Sequence, residues 1–94
     1  MQLTSKQRRH LKGLAHPLNP VVQVGDKGIT SAVIAKVDEE LDNHELIKIR
    51  VDSDAKIKGP ILAEGTKAGL VQVIGRVVVL YRARKKKPAI RLPA

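Results

Sequence analysis

The sequence lacks cysteine and is almost free of aromatic side chains. Its 94 residues contain no Cys, Phe or Trp and a single tyrosine, Tyr81. The absence of cysteine excludes disulfides, thiol chemistry and zinc sites with cysteine ligands. The shortage of aromatics argues against proteins that stack nucleic-acid bases on a sheet or in an OB-type barrel. The hydrophobic core must therefore be aliphatic.

Long apolar segments are also missing. No run approaches the roughly 18 residues of a membrane-spanning helix, and the N-terminus lacks the apolar block of a signal peptide. We therefore expect a cytoplasmic protein that does not associate with membranes. The length fits one domain, which we place at residues 1–83. Because residues 84–94 are basic and contain two prolines, we expect them to form a basic C-terminal tail.

Negative charge is scarce at both ends of the chain. Eighteen Lys and Arg against nine Asp and Glu give a formal charge of +9. Residues 1–25 and 65–94 contain no acid, whereas five of the nine acids lie between Asp38 and Glu45. A positive excess of this size, separated in this way from the acids, favours a polyanionic partner.

The first residues predict an amphipathic helix. Thr4 and Gln7 form a capping-box pair, and the helix that they open ends near Ala15, before Pro17. Leu11 lies on its apolar side. The opposite side is cationic and carries Lys6, Arg8, Arg9 and Lys12.

Six further elements follow. The pattern predicts a strand at 21–24, a helix capped by Thr30, a strand at 46–51, a weak helix at 54–67, and a hairpin with strands at 70–74 and 77–82. In the weak helix Ile57 and Ile61 lie in helical register, but Gly59-Pro60 favours a kink or a start at Pro60. The order predicts an α+β fold with a four-stranded mixed sheet. We expect the helices mainly on one face, with the second and third placed there by right-handed crossovers and the first covering the remaining apolar surface, and the other face largely solvated.

The loop Gly25-Asp26-Lys27-Gly28 is the motif best suited to binding. Glycine at both ends permits positive φ and lets a phosphate backbone approach without a Cβ in the way. The following helix contributes a positive dipole end, and Lys27 supplies a phosphate contact. This arrangement is typical of the GXXG loops by which KH domains hold single-stranded RNA. A plain connecting turn remains the alternative, and Asp26 opposes a phosphate contact.

The last strand leads into a second cationic segment. Arg82 and Arg84 are followed by the run Lys85 to Lys87, which we interpret as a phosphate tether. A merely solubilising end of the chain is the alternative.

Metal and catalytic sites are not indicated. His10, His16 and His44 lie on separate elements without the spacing of metal ligands. The acids around Asp38 spread over a polar helix face, and the apolar strand around Tyr81 favours its burial over base stacking. We expect no catalytic residue, cofactor, metal or small-molecule substrate.

Four segments together resemble the chloroplast RNA splicing and ribosome maturation (CRM) domain. They are LTSKQRRHLKGLAH (3–16), PVVQVGDKGIT (20–30), HELIKI (44–49) and VQVIGRVVVLYR (71–82). The sequence is most similar to the free-standing bacterial members of the YhbY type. The resemblance implies an α-β-α-β-α-β-β fold like that of the C-terminal domain of translation initiation factor 3. It also implies RNA binding through the GXXG loop and its basic surroundings, and association with precursors of the large ribosomal subunit.

We therefore predict a monomeric, non-enzymatic protein that binds ribosomal RNA during ribosome assembly. An adaptor whose acidic second helix docks a basic partner is one alternative. A small RNA-processing enzyme is another, although no convergent pair of titratable groups supports it. The predicted RNA-binding residues are Gly25, Asp26, Lys27, Gly28, Lys6, Arg8, Arg9, Lys12, Arg82, Arg84, Lys85, Lys86 and Lys87.

Overall fold

The structure, a computed structural model, describes residues 1–94 and contains three helices and four strands. In chain order they are α1 (Ser5–Ala15), β1 (Pro20–Val24), α2 (Ser31–His44), β2 (Leu46–Val51), α3 (Ala55–Thr66), β3 (Gly69–Ile74) and β4 (Val77–Tyr81). The predicted order of elements and the α+β class are confirmed. None of the three helices has the length and apolar character needed to cross a membrane.

Side-chain caps stabilise the starts of α1 and α2, at the two residues that the sequence predicts. The Thr4 hydroxyl accepts a hydrogen bond from the Gln7 amide, and the Gln7 side chain accepts one from the Thr4 amide, both at 3.1 Å. This is the complete capping box. At the start of α2, the Thr30 hydroxyl accepts from the Val33 amide at 3.2 Å. Each cap satisfies backbone donors that a helix start leaves free.

The strands form one mixed sheet in the order β1-β2-β4-β3, with β1 and β2 parallel and the other pairs antiparallel. Val24 lies beside Val51 where β1 and β2 end, and the Val51 amide donates to the Arg76 carbonyl at 2.8 Å. The GXXG loop and the Gly75-Arg76 turn therefore share one end of the sheet, which we call the loop end. Leu46 pairs with Tyr81 at the opposite end, which we call the tail end.

Both faces of the sheet are covered. On one face, α2 and α3 pack over β-strand residues such as Ile47 and Ile49 to form the first core. On the other, Leu11 of α1 packs with Val79 and Tyr81 in a second, smaller core. Two of the three helices thus lie on one face, as predicted, but the expectation of a largely solvated opposite face is wrong. The β4 residues alternate between the two cores, which requires a cover on each side.

Helix α3 differs most from the sequence-based expectation. It begins at Ala55 and continues through Pro60, and Ile57 and Ile61 are 64% and 49% exposed. Gly59 and Leu62 are buried instead, and a Cβ added to Gly59 would lie 3.1 Å from Cγ2 of Val73. The helix can approach the sheet closely because glycine has no side chain there.

Residues 84–94 contain no helix or strand but pack against the domain. Ile90 and Leu92 are partly buried against the second core. The Gln7 side chain donates to the Pro93 carbonyl at 3.4 Å, which brings the end of the chain next to α1. The tail therefore follows the face of the sheet that α1 covers.

Candidate nucleic-acid interface

The GXXG loop is an exposed turn at the loop end of the sheet. The Gly28 amide donates to the Gly25 carbonyl at 3.0 Å, and Gly28 has a φ of +74°, which explains glycine at that position. Gly25 has no positive φ, and a Cβ added there would meet nothing within 4 Å. Lys27 is exposed and has no ion-pair partner. Backbone conformation thus accounts for Gly28, whereas neither packing nor backbone conformation accounts for Gly25.

Three of the four cations predicted on α1 face solvent. Lys6, Arg9 and Lys12 are exposed. Arg8 is half-buried, and its Nε donates to the Leu70 carbonyl of β3 at 3.3 Å. Arg8 therefore fixes α1 on the sheet, while the other three present positive charge to solvent.

The sequence-based list of site residues omits Arg50 and Arg76, two cations at the loop end. Arg50 is exposed on β2 and pairs in register with Gln23 of β1, next to the strand end that leads into the GXXG loop. Arg76 is the exposed second residue of the hairpin turn. The alternation of Ile49, Arg50 and Val51 already indicates that Arg50 points away from the first core. Its proximity to the loop depends on strand pairing, which the alternation does not reveal.

Arg82 is held within the protein. Its Nη1 lies 2.7 Å from Oδ1 of Asp38, and its Nη2 lies 3.0 Å from Oδ1 of Asp42. Nη1 also donates to the Thr66 carbonyl at 2.6 Å. The side chain is 22% exposed. Arg82 therefore joins the end of β4 to α2 and to the end of α3, and its charge is balanced by two carboxylates.

Ion pairs neutralise most of the acidic residues and few of the basic ones. Of the 18 Lys and Arg, three form ion pairs: Lys36, Lys58 and Arg82. A hydrogen bond to Glu40 and the charge of Glu39 raise the pKa of Lys36. A hydrogen bond from Lys58 lowers the pKa of Asp52. Apart from Arg84, whose charge acts on Glu45, the remaining cations have no carboxylate partner, and an anionic partner can neutralise their charge.

The C-terminal cations lie at the tail end, away from the GXXG loop. Lys85, Lys86 and Lys87 are exposed, whereas Arg84 is half-buried and its Nη2 donates to the Lys87 carbonyl at 3.4 Å. A partner that touches both Lys27 and the lysine run must span the strands, a distance of roughly 20 Å. The structure thus presents several separate cationic groups instead of one compact patch.

The remaining candidate groups have local partners or are buried. Tyr81 is 2% exposed, and burial and the nearby Glu45 carboxylate raise its pKa, so its ring is not available to stack on a base. His44 lies 3.3 Å from Glu40 on the surface of α2. No group of three or more His, Asp or Glu side chains is arranged to hold a metal ion.

Two cavities lie near the tail end. One, of about 740 Å³, is lined mainly by polar residues that include Asp38, Lys67 and Arg82. The other, of about 440 Å³, is an apolar groove that includes Leu14 and Val21. Leu14 is 42% exposed, although the helical pattern places it on the packed side of α1. The carboxylate of Asp38 in the polar cavity is already paired with Arg82.

Comparison with known proteins gives a family match over almost the whole chain. The CRS1/YhbY (CRM) domain matches residues 3–82. A Haemophilus influenzae protein named RNA-binding protein is 45% identical over 95 residues, which cover 97% of this chain and 95% of the relative. Probable RNA-binding protein YqeI of Bacillus subtilis is 39% identical over 95 residues, covering 97% and 99%.

A solved structure has the same fold. The solution structure of a hypothetical Staphylococcus aureus protein, for which RNA binding has been suggested, superposes with a TM-score of 0.84 at 42% sequence identity. The match covers 97% of this chain and 99% of the other. The similarity therefore extends over almost the whole chain.

Proposed function

Because the chain belongs to the CRS1/YhbY (CRM) domain family, we propose that it is an RNA-binding protein that holds the RNA backbone through its GXXG loop and its exposed cations. The names of the relatives support RNA as the partner. The observation that carries the proposed mode of binding is the ion-pair pattern, since Lys27 and the exposed cations of α1 have no carboxylate partner. Free cations of this kind can release counterions from RNA phosphates.

Gly25 provides a second argument for contact at the loop. Neither a positive φ nor a close neighbour requires glycine at this position. A bare backbone there permits a phosphate group to approach the loop beside Lys27 and the start of α2. Asp26 lies in the same turn, and we propose that its carboxylate points away from the RNA when Lys27 makes its contact.

Recognition by charge and shape follows from the shortage of aromatics. The sole aromatic ring, Tyr81, is buried, so base stacking on protein side chains contributes little. Cationic groups at both ends of the sheet favour a folded RNA that contacts them together. We propose that this RNA is ribosomal RNA in a precursor of the large subunit, and that the protein acts there as an assembly factor.

The proposed role is binding without catalysis, by a cytoplasmic monomer that needs no cofactor. The adaptor alternative gains no support from the structure, because Asp38 and Asp42 on α2 are paired with Arg82, and Glu39 and Glu40 with Lys36. Charge reversal at Glu39 tests that alternative: an adaptor loses its partner, whereas RNA binding persists.

Crosslinking in cells tests the proposed partner. The protein is crosslinked to RNA, and the attached fragments are sequenced while ribosomal particles are separated by sedimentation. We expect ribosomal RNA fragments, with the protein in particles that precede the mature large subunit. Fragments from unrelated RNAs without enrichment of ribosomal sequence would overturn the ribosomal part of the proposal and leave RNA binding itself intact.

A further inference from the structure

Glu45 is a buried carboxylate in an unfavourable backbone conformation. It follows the last residue of α2, is 1% exposed, and has a φ of +65° and a ψ of −43°. A residue with a Cβ rarely adopts such a φ, and burial of a carboxylate is costly unless hydrogen bonds replace its water. Both costs persist only where the surroundings compensate for them. The contacts of Glu45 show what that compensation is.

The Glu45 side chain binds three backbone amides of the tail. Its Oε2 accepts from the Arg84 amide at 2.8 Å, and its Oε1 accepts from the Ala89 and Ile90 amides at 2.7 and 3.1 Å. The backbone takes part as well, since the Glu45 carbonyl accepts from the Arg82 amide at 2.9 Å. One residue thus fixes four positions of the segment that follows β4.

The carboxylate is held in its charged form. Burial alone would raise the pKa of Glu45, but the three amide donors and the charge of Arg84 outweigh it, and the net effect is a lowered pKa. Hydrogen bonds from amides to an ionised carboxylate are shorter and stronger than those between neutral groups. At neutral pH the Glu45 carboxylate is therefore ionised, and its three hydrogen bonds to the tail are at full strength.

The lysine run lies between the bound amides. Residues 85–88 form a short loop, which we call the lysine loop. The residues on either side of it, Arg84 and Ala89, both donate a backbone hydrogen bond to Glu45. Lys87 has a φ of +53° within this loop, and the three lysines are exposed and have no ion-pair partner. Beyond it, Ile90 is packed against the second core. The lysines therefore have a defined backbone position instead of trailing from a free end.

We propose that Glu45 is a positioning residue for RNA binding, which holds Lys85, Lys86 and Lys87 as a preformed cationic loop that contacts RNA phosphates. A preformed loop avoids the entropy cost of ordering the backbone that carries the three lysines when RNA binds. This inference rests on the proposed function, because it assigns the lysines to the same RNA. Glu45 is buried and negatively charged, so it does not contact the RNA itself. Its proposed role is to hold the lysines that do.

The test is a double-mutant cycle. E45Q is made in the natural chain and in a K85Q/K86Q/K87Q background, and the affinity of all four proteins for one fluorescently labelled hairpin RNA is measured at low salt. In the natural background E45Q should weaken binding about threefold to tenfold, the cost of ordering the loop. Net charge alone predicts the opposite, because E45Q removes a negative charge and would by itself strengthen binding to RNA. In the triple-Gln background E45Q should cause no loss.

Amide hydrogen exchange on the same proteins separates the clamp from general unfolding. E45Q replaces one acceptor oxygen by an NH2 donor, so the Arg84, Ala89 and Ile90 amides cannot all keep their partner, and exchange at one or more of them should be faster. The Ile49 and Val79 amides in the sheet should stay protected, and the triple-Gln chain should keep all five amides protected. If E45Q weakens binding equally in both backgrounds, or leaves the three tail amides as protected as in the natural chain, the inference is overturned.

The failures of the two proposals are distinguishable. If the triple-Gln chain binds RNA as tightly as the natural chain while K27Q weakens binding, the lysine loop has no role and the RNA-binding function stands. If the natural chain does not bind the RNA at all, the proposed function and this inference fail together.

Discussion

Arg82 lies 2.7 Å from Asp38, so a cation that the sequence predicts to bind RNA is paired with an acid that the sequence predicts to face solvent. The second guanidinium nitrogen lies 3.0 Å from Asp42. The pairing crosses from the end of β4 to α2 and removes local negative charge near the lysine loop. We therefore expect Arg82 to contribute mainly to stability, and the cations without an ion-pair partner to make the RNA contacts.

Replacement of Arg82 by Gln should destabilise the fold and leave the salt dependence of RNA binding unchanged. The loss removes two ion pairs and the bond to the Thr66 carbonyl, and should cost about 1 to 3 kcal/mol because charged hydrogen bonds are lost in a partly buried site. The loss of stability is measured by urea unfolding, with Tyr81 fluorescence as the signal. A smaller salt slope with unchanged stability would instead place Arg82 on the RNA.

Two glycine substitutions in the GXXG loop should affect different properties, RNA affinity for Gly25 and stability for Gly28. Gly25→Ala should leave stability unchanged or slightly increased, because nothing lies near its Cβ position, yet weaken RNA binding severalfold. Gly28→Ala should cost about 1 kcal/mol of stability, because alanine is strained at a φ of +74°. Thermal unfolding and RNA titration of both variants check this. Unchanged RNA affinity in Gly25→Ala would indicate that the loop is a connector.

Acid should loosen the tail. The pKa of Glu45 is lowered in the folded protein from its usual 4.5, so its stabilising contribution is complete above that value and is lost as the pH falls through the lowered pKa. The charge of Arg84 contributes to this lowering, and burial together with the Glu45 carboxylate raises the pKa of Tyr81 beside it. Amide exchange of Ala89 as a function of pH, corrected for intrinsic rates, measures the release.

The matched control for the acid effect is Glu45→Gln, which cannot ionise. Asp52 also has a lowered pKa, because of Lys58, and contributes to the loss of overall stability in the same pH range. In Glu45→Gln, the corrected exchange rate of the Ala89 amide should no longer rise on acidification. If its protection still falls on acidification as in the natural chain, another group holds the tail.

Much of the fold could be predicted from the sequence because its signals are local. The capping box of Thr4 and Gln7, the cap at Thr30 and the Gly75 turn each depend on residues a few positions apart, and each is present in the structure. Residue identities also locate the GXXG loop, since a turn between a strand and a helix needs little tertiary information.

The parts that could not be predicted depend on contacts between distant residues. Ile57 and Ile61 are more apolar than Gly59, yet Gly59 faces the sheet because close approach there matters more than side-chain burial. The carboxylate partners of Arg82 are 40 and 44 residues away in sequence. The burial of Glu45 depends on a tail that has no periodic pattern of its own. Strand pairing also decides that Arg50 lies near the loop.

The exposed cations of α1 should act together and without effect on the fold. Replacing Lys6, Arg9 and Lys12 by Gln should reduce the slope of log K against log[salt] by about 2 in magnitude, at roughly 0.7 per phosphate contact on single-stranded RNA. Thermal unfolding should be nearly unchanged, because all three side chains are exposed. An unchanged slope would exclude α1 from the RNA-binding surface.

The most direct test of the account compares Lys27→Gln with Lys36→Gln, two changes that lower the net charge equally. Lys27 has no ion-pair partner, whereas Lys36 is already paired with Glu39 and Glu40. The measurement is the salt dependence of affinity for one hairpin RNA. We predict that Lys27→Gln reduces the magnitude of the slope by roughly 0.7 to 0.9, the range from single-stranded to duplex nucleic acid, and that Lys36→Gln leaves it unchanged. Equal slopes for both variants, or a natural chain whose affinity does not depend on salt, would contradict the central claim.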